Sequence, residues 1–542
     1  MSEGHRGEKL TEKTEEGRRY LTEAGKERLA SWVTDVESDV YAFTPEADAE
    51  MVAAAMARLS RNPNDLRTIV ADEFLDDKAR EIGLLRRVVN TYGDDSVMQL
   101  FPIQAVFEGI SNLATKEVER GRVAAYLEQS TRYLRFDKKD ENGNYAYYTP
   151  DELDEETREL YEKYMDEIFD TYSALYEQLL AHIQATSTVP EEERNAAWRN
   201  ACHAQACDGV RSLLPAATRA TVGMTGSSQA FHNMILHLFS HELPEMQKLG
   251  SKALAAVRQV GEVFFERTDM PERGGLVSGN RRETREDSKA LADRLLAHLD
   301  QGTENGPDVR LLSVDGSEDE VIAKIVFDAS NHPYEVVHEA VEGLSDGEKQ
   351  EVLRAYVGER ANRRVKPGRA FELPHYHFEV VCDYGAFRDI QRHRMVDGLE
   401  WQTLQASLGH VTPEIIHDAG LADQYEHAFQ LSGELYRTLQ ERSYSPQAQY
   451  ATLFGHLMRF SAKVNARSLT HTAELRTSSQ GHPAYRKVYQ DMHDQVSEVH
   501  PNIAAAMKFV SQDENLELAR LGAEQQALRR TLREGDVTAL GD

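Results

Sequence analysis

The chain has 542 residues, of which 40% are hydrophobic and 28% charged, a composition typical of globular proteins with room for several cores. Its 62 basic and 91 acidic residues give a formal net charge of −29, which disfavours nucleic acid as a partner because the phosphate backbone repels an acidic surface. Since no run approaches the roughly 20 apolar residues of a membrane helix and the charged start lacks an apolar secretion signal, we expect a cytoplasmic protein without a membrane partner.

Shifts in composition divide the chain into five predicted segments. In chain order these are a polar helical arm (1–64), a first repeat (65–267), a linker (268–306), a second repeat (307–511) and a C-terminal surface helix (512–542). The linker is rich in glycine and charge, as flexible connections are. The second repeat opens on the run VRLLSVDG, which predicts a strand that ends in a turn.

Two damaged copies of one arginine motif indicate the duplication. The first copy reads Arg120-Gly121-Arg122 and the second reads Arg392-His393-Arg394, at an offset of 272 positions. A glutamate follows each motif at the same offset, as Glu128 and Glu400. A later pair of blocks matches at an offset of 238, so the second copy is 34 residues shorter between its blocks. We expect the extra residues to be the acidic stretch 137–164, as a surface excursion.

The local patterns predict strands and helices in both repeats. HYHFEVVCDY, from His375, has the β-branched and aromatic content of a strand, and we expect a helix carrying the Arg392 triplet to follow it. Asn465, Leu469, Thr472 and Arg476 recur at spacings of 4, 3 and 4, which places them on one helix face. The alternation predicts an α/β (α+β) fold, with a β-sheet packed against long helices in each repeat.

Three cysteines, Cys202, Cys207 and Cys382, are too few for a disulfide framework. The spacing Cys202-His203-x-x-x-Cys207 matches no standard zinc pattern, and no second cluster completes four ligands. We therefore interpret the cysteines as buried reduced thiols and expect no metal site.

An Arg-His-Arg triplet places two planar cations and an imidazole close together. Guanidinium groups bind phosphate in a bidentate manner and stay charged at any working pH. Taken alone, such a triplet is more often a solvated basic turn or an ion-pair cluster than a ligand site. The flanking blocks are what favour a binding site here.

An Arg-His-Arg triplet with a serine eight positions on is the signature of the flavin-dependent thymidylate synthases, and the chain resembles that family in both halves. The segments that carry the resemblance are YGDDSV (92–97), YLEQSTRY (126–133), VRSLLP (210–215), RHRMVDGLE (392–400) and NARSLTHTAELRT (465–477). The resemblance implies two tandem thymidylate synthase complementing-protein-like domains. It also implies an FAD-dependent enzyme that converts dUMP to dTMP, with methylenetetrahydrofolate as carbon donor and NADPH as reductant.

Carried over residue by residue, the resemblance assigns one half of a nucleotide site to the first repeat. Its family counterparts there are Glu128, Ser130, Arg132 and Arg211, which hold the nucleotide. The second repeat has Gln402, Leu404 and Gln449 where the last three of these residues would stand, so we expect it to lack this half-site.

The opposite half-site is intact only in the second repeat. The resemblance assigns Arg392 to flavin and nucleotide, Arg476 to the uracil N3 as the catalytic residue, and a further set to the flavin: His393, Arg394, Asn465, Arg467 and His471. The first repeat has Gly121, Ser227, Gln229 and Leu238 at corresponding positions. We therefore expect the copy of this half-site in the first repeat to be non-functional.

The complementary losses predict one complete site per chain, built across the two repeats. Because the family is homotetrameric, two such chains would form a homodimer that mimics the tetramer, with two live and two degenerate sites. Two alternatives stay open: a related flavoenzyme that modifies C5 of another uracil nucleotide, and a non-catalytic nucleotide-binding paralogue. Asp94, two residues before Ser96, would repel a flavin phosphate and puts flavin binding at the start of the first repeat in doubt.

Overall fold

The structure is a computed structural model that describes residues 9–75, 78–299, 306–513, 518 and 520–534. The strands are β1 (Thr11–Lys13), β2 (Arg19–Leu21), β3 (Pro102–Ser111), β4 (Ala124–Glu128), β5 (Arg219–Ser227), β6 (Asp308–Asp315), β7 (His375–Asp383), β8 (Asp397–Trp401) and β9 (Leu457–Asn465).

Helices supply most of the regular structure. They are α1 (Glu23–Leu29), α2 (Ala49–Leu59), α3 (Leu66–Ile69), α4 (Lys78–Leu85), α5 (Asp95–Met98), α6 (Asn112–Val118), α7 (Glu155–Thr186), α8 (Ala196–Val210), α9 (Ser228–Ser240), α10 (Pro244–Phe265), α11 (Gly274–Leu296), α12 (Glu318–Asp328), α13 (Tyr334–Glu342), α14 (Asp346–Val357), α15 (Tyr384–Ile390), α16 (Glu414–Asp418), α17 (Ala422–Glu441), α18 (Ala466–Arg476), α19 (Pro483–Val499), α20 (Pro501–Ala505) and α21 (Leu521–Glu534). The predicted α/β fold, with β-sheets and long helices, is confirmed. None of the helices in the described part of the chain combines the length and apolar content needed to cross a membrane.

The chain divides into two compact units. The first consists of Met1–Glu108, Glu117–Glu128 and Thr221–Leu299, and the second of Gly109–Lys116, Gln129–Ala220 and Asp300–Asp542. Each unit has its own sheet. The limits of the five predicted segments stay predictions.

The first unit contains most of a three-stranded sheet with the order β3-β5-β4, in which β4 and β5 are antiparallel. Helices α9 and α10 pack on each other, and Phe101 stacks on Phe264 at 4.5 Å between ring centroids. The segment predicted as a polar helical arm contains the antiparallel pair β1 and β2 in addition to α1 and α2. Most of the segment predicted as a linker is the long helix α11.

The second unit contains a four-stranded antiparallel sheet with the order β6-β7-β9-β8. The central strand β7 is buried over most of its length, as its run of aromatic and β-branched residues requires. Helix α7 packs on α8 and α17, and α19 packs on α18. The strands predicted from VRLLSVDG and HYHFEVVCDY are β6 and β7, so both predictions are confirmed.

The elements repeat at the offsets found in the sequence. Helix α15 lies 272 residues after α6 and has the same length, and β9 lies 238 residues after β5 with the same length. Helices α9 and α18 follow those two strands directly. The tandem duplication is therefore visible in the order of elements as well as in the motifs.

Two local predictions are wrong. The Arg392–Arg394 triplet is not helical, because α15 ends at Ile390 and the chain turns there to enter β8, which pairs with β9. The acidic stretch 137–164 is exposed over residues 138–144 but is not a surface excursion beyond them. Its Tyr147 and Tyr161 are buried, with ring centroids 6.3 Å apart, because the aromatic residues anchor the stretch on α7.

Candidate active site

Helix α15 follows the C-terminal end of β7 directly and is buried along its whole length. Its N-terminus is capped by Asp383, whose carboxylate accepts a hydrogen bond from the Ala386 N–H at 2.8 Å. The helix closes with a bond from the His393 N–H to the Ile390 carbonyl at 3.0 Å. A short buried helix with this ending places Asp389 in the interior and Arg392 in the following turn.

Asp389 is the centre of an arginine cluster drawn from both repeats. Its Oδ2 accepts a hydrogen bond from Nη1 of Arg211 at 3.3 Å. Its Oδ1 lies 3.8 Å from Nη1 of Arg392 and 3.7 Å from Nη1 of Arg476. Arg211 comes from the first repeat, whereas the other two arginines come from the second.

Burial and charge act in opposite directions on Asp389. Burial alone would raise the pKa of its carboxyl group, but Arg211, Arg392, Arg476 and Arg132 together hold that pKa well below the usual range. The carboxylate is therefore ionised at any working pH. It lies among several guanidinium groups, so the cluster keeps a net positive charge that suits an anionic ligand.

A second carboxylate, that of Asp208 on α8, is 16% exposed and holds Arg132 in place. Nε and Nη2 of Arg132 donate to its two oxygens at 2.8 and 2.7 Å, and Nη1 donates to the Tyr485 hydroxyl at 2.8 Å. Burial would raise the pKa of Asp208, but Arg132, His482 and Arg520 lower it to about 2. The guanidinium of Arg132 is therefore fixed in orientation.

Tyr485 joins the two groups of arginines. The guanidinium carbons of Arg132 and Arg476 lie 5.6 and 5.2 Å from the centre of its ring, within cation–π range. The ring is only 4% exposed. Arg132 and Arg476, which the sequence assigns to opposite half-sites, therefore share one aromatic side chain.

Arg476 also fixes the protonation of His393. Its Nε donates to Nε2 of His393 at 2.7 Å, so that nitrogen accepts and the neutral ring carries its proton on Nδ1. Burial, together with the charges of Arg476 and His471, holds the pKa of His393 well below its usual value. The histidine of the triplet is thus a neutral hydrogen-bonding group.

Helix α18 carries the remaining residues predicted to bind the flavin. Asn465 caps the helix by accepting from the Ser468 N–H at 2.8 Å. Arg467 donates to the Pro367 carbonyl at 2.9 Å and lies 3.3 Å from Glu372. The predicted helix with Asn465 and Arg476 at its two ends is confirmed.

His471 lies in a basic part of the site. Its ring is 6.0 Å from that of His393, at nearly a right angle. Burial lowers its pKa, and the charges of four basic side chains, Lys366, Arg363, Arg476 and Arg467, lower it further. Such a surrounding is suited to a ligand with several negative charges.

One buried donor of the cluster points to a ligand. Arg211 is only 3% exposed, and its Nη2 has no hydrogen-bond partner among the residues that the structure describes. An unpaired buried donor on a charged group costs about 1–3 kcal/mol or more. An anion bound beside Arg211 would remove this cost.

The other predicted site residues are placed as follows. Ser130 accepts a hydrogen bond from the Arg132 N–H at 3.2 Å and thereby stabilises the turn that carries this arginine. Arg394 is partly exposed two residues beyond Arg392. Glu128 is buried at the end of β4, in the first unit, whereas the other predicted site residues are all in the second unit.

The first repeat also has an acidic residue at the position of Asp389, but different side chains surround it. Glu117 stands 272 residues before Asp389 and lies 2.6 Å from Nε2 of His237, 3.9 Å from Nε2 of His241 and 3.9 Å from Nη1 of Arg120. Burial would raise its pKa, but these three side chains lower it to about 2. Leu238, at the position of Arg476, is completely buried.

Of the residues that stand in the second repeat at the places of Ser130, Arg132 and Arg211, Leu404 and Gln449 are buried and Gln402 is exposed. Leu404 is 4% exposed, and its N–H donates to the Gln449 side chain at 3.4 Å. Gln402 accepts from Arg459 at 3.0 Å. The three cysteines are buried as predicted, and burial raises the pKa of Cys207 to about 12.

Sequence reasoning missed three functional groups of the cluster: Asp208, Asp389 and Tyr485. One signal could have found Asp389, because the offset of 272 pairs it with an acid, Glu117, in the first repeat. No comparable signal exists for Asp208 or Tyr485, which are distant in sequence from the residues that they contact.

Two α/β repeats that contribute arginines to one buried cluster define a tandem-repeat protein whose halves have diverged. Residues 40–261 and 310–502 both match the family described as thymidylate synthase complementing protein. The chain belongs to that family.

The similar proteins include one that matches nearly the whole chain and one that matches less than half of it. A UPF0159 protein of Chlamydia pneumoniae is 30% identical over 525 residues, which are 92% of this chain and 97% of that protein. A flavin-dependent thymidylate synthase of Clostridium tetani is 22% identical over 228 residues, which are 41% of this chain and 83% of that enzyme. Among solved structures, the UMP/dUMP methylase PolB from Streptomyces cacaoi bound with 5-Br dUMP has 16% identity and a TM-score of 0.31, and the match covers 38% of this chain and 96% of that chain.

Proposed function

We propose that this protein is a flavin-dependent thymidylate synthase that methylates dUMP to dTMP. Methylenetetrahydrofolate would supply the carbon, and NADPH would supply the electrons through FAD. The proposal rests on family membership, on similarity to flavin-dependent thymidylate synthases and on one structural observation. That observation is the meeting of arginines from both repeats on Asp389 and Tyr485 within one unit.

The first repeat would hold the phosphate of the nucleotide. Arg132 is fixed by Asp208 and Tyr485, and Arg211 has a buried donor available. Guanidinium groups that are already oriented bind a phosphate without losing side-chain entropy. Ser130, at the turn beside Arg132, would add a hydroxyl donor.

The second repeat would activate the base. Arg476 is held by His393 and by the ring of Tyr485, so its charge is oriented before the ligand arrives. A guanidinium against the uracil N3 would stabilise the ionised base and make C5 more nucleophilic. Preorganised charge of this kind is commonly the largest catalytic contribution.

The basic surroundings of His471 fit the diphosphate of FAD. Arg363 and Lys366 lie close enough to lower the pKa of this histidine, and Arg467 belongs to the same group. We assign the flavin to the residues predicted from the sequence: Arg392, His393, Arg394, Asn465, Arg467 and His471. When bound, the flavin would supply the electron pair that reduces the transferred carbon to a methyl group.

We further propose that two chains form a homodimer that mimics the tetramer of the single-repeat enzymes. Each chain would contribute one live site and one degenerate site. The mass measured in solution by light scattering tests this part, and a strictly monomeric protein would contradict it.

The decisive experiment uses purified full-length protein. A flavin absorption spectrum is expected, together with tritium release from dUMP labelled at C5 and formation of dTMP when methylenetetrahydrofolate and NADPH are added. Tritium release without dTMP would favour a flavoenzyme that modifies C5 in another way. Protein that binds dUMP without any flavin would instead favour a non-catalytic paralogue.

A further inference from the structure

A fifth arginine reaches the candidate site from outside the matched repeats. Arg520 precedes α21, in the C-terminal segment, whereas the second family match ends at residue 502. Its side chain is 8% exposed, although the segment was predicted to be a surface helix. The exposure shows that this residue is part of the interior of the second unit.

Arg520 makes two contacts beside Arg132. Its Nη2 lies 3.0 Å from Oδ2 of Asp208, the carboxylate that orients Arg132. Its guanidinium carbon lies 4.5 Å from the ring centre of Tyr133, the residue after Arg132. Helix α21 packs on α8, which carries Asp208. The C-terminal segment thus contacts the turn that carries Arg132 as well as the carboxylate that orients this arginine.

The charges around Asp208 do not balance. One carboxylate serves two guanidinium groups, those of Arg132 and Arg520, so the group has an excess positive charge. In addition, Nη1 of Arg520 is buried and makes no hydrogen bond within the described ranges. A buried cation with an unused donor is stabilised when an anion binds next to it.

We infer that Arg520 is a positioning residue for the phosphate of the nucleotide, supplied by the C-terminal segment to the site of the first repeat. It clamps Asp208 and Tyr133 and so sets the orientation of Arg132, and its charge adds to the attraction for a phosphate. The inference rests on the proposed function, since it assigns the ligand of that same site. A purely structural tether would stabilise the fold without any preference for ligands that carry a phosphate.

The test compares two ligands that differ only in the phosphate. Binding of dUMP and of deoxyuridine is measured by calorimetry for the full-length wild type, for Arg520→Gln and for Arg529→Gln. Arg529 is exposed on α21 and serves as the matched control. We expect Arg520→Gln to weaken dUMP binding about tenfold to a hundredfold, the effect of losing a charged hydrogen bond. Deoxyuridine binding should stay unchanged, and Arg529→Gln should affect neither ligand.

Other results have distinct meanings. If Arg520→Gln weakens both ligands equally, or neither, Arg520 has no role at the phosphate and the inference is wrong. If the wild type binds dUMP no better than deoxyuridine, the proposed function itself fails. Arg520→Lys keeps the charge without the planar fork, so it should fall between wild type and Arg520→Gln. If Arg520→Gln does not fold, the binding of dUMP and deoxyuridine by Arg520→Lys tests the inference instead.

Discussion

Replacing Asp389 by asparagine tests the idea that one carboxylate holds the arginine cluster together. The side chain is 9% exposed and has three guanidinium groups within 3.3 to 3.8 Å. Each such pair is worth roughly 5 kcal/mol at an effective dielectric constant of about 20. The cost of burying the carboxylate offsets most of the attraction summed over the three arginines, and Arg392 is half exposed to solvent. We therefore expect Asp389→Asn to lower the free energy of unfolding by about 3 kcal/mol.

The assay is urea unfolding followed by tryptophan fluorescence, since Trp198 and Trp401 both lie in the second unit. Asp418→Asn, on the exposed surface of α16, is the control and should unfold like the wild type. Sulfate should raise the free energy of unfolding of Asp389→Asn more than that of the control, because a bound anion can replace the missing negative charge. If Asp389→Asn matches the wild type with and without sulfate, the carboxylate does not hold the cluster and this reasoning is wrong.

Three further predictions concern activity, acid stability and thiol reactivity. Arg476→Ala should lower the rate of tritium release from dUMP by about a hundredfold to a thousandfold. Arg120→Ala, in the degenerate copy of the motif, should keep most of the wild-type rate. Equal losses in the two variants would contradict the division of roles between the repeats. Burial and the charge of His410 lower the pKa of His456 from 6.5 to about 3. The unfolded chain therefore binds a proton there that the folded chain rejects, and this histidine alone should lower the free energy of unfolding by up to about 1.4 kcal/mol per pH unit between pH 6.5 and about 3. His456→Gln should reduce the slope of the pH-dependent urea curves by this contribution. Because burial raises the pKa of Cys207 to about 12, iodoacetamide at pH 8 should leave it unmodified in native protein and alkylate it after unfolding, as read by mass spectrometry.

The sequence predicted those features of the fold that depend on local patterns and on the duplication. The spacing of Asn465 and Arg476 predicted α18 correctly, because helical periodicity is a local property. The internal offsets of 272 and 238 matched equivalent elements, because both copies keep the same order of strands and helices. The helix predicted for Arg392 was wrong, since its end is set by the pairing of β8 with β9.

The partners of the site residues could not be predicted in the same way. Arg132 meets Asp208 at a separation of 76 residues, and Arg211 meets Asp389 at a separation of 178. Such pairs depend on the tertiary fold and leave no local pattern. The contact of Arg520 with Asp208 is a further case, because the C-terminal tail shows only the composition of a surface helix.

Glu117 and Asp389 occupy equal places in the two repeats, and both lie in the interior. Glu117 lies next to two histidines and Arg120, whereas Asp389 lies next to three arginines. The same helix position carries a buried anion in both copies, although Leu238 stands in the first copy where the second has Arg476. A buried acid at this point is a property that the two copies share, and it does not depend on the arginines that surround it in the second repeat.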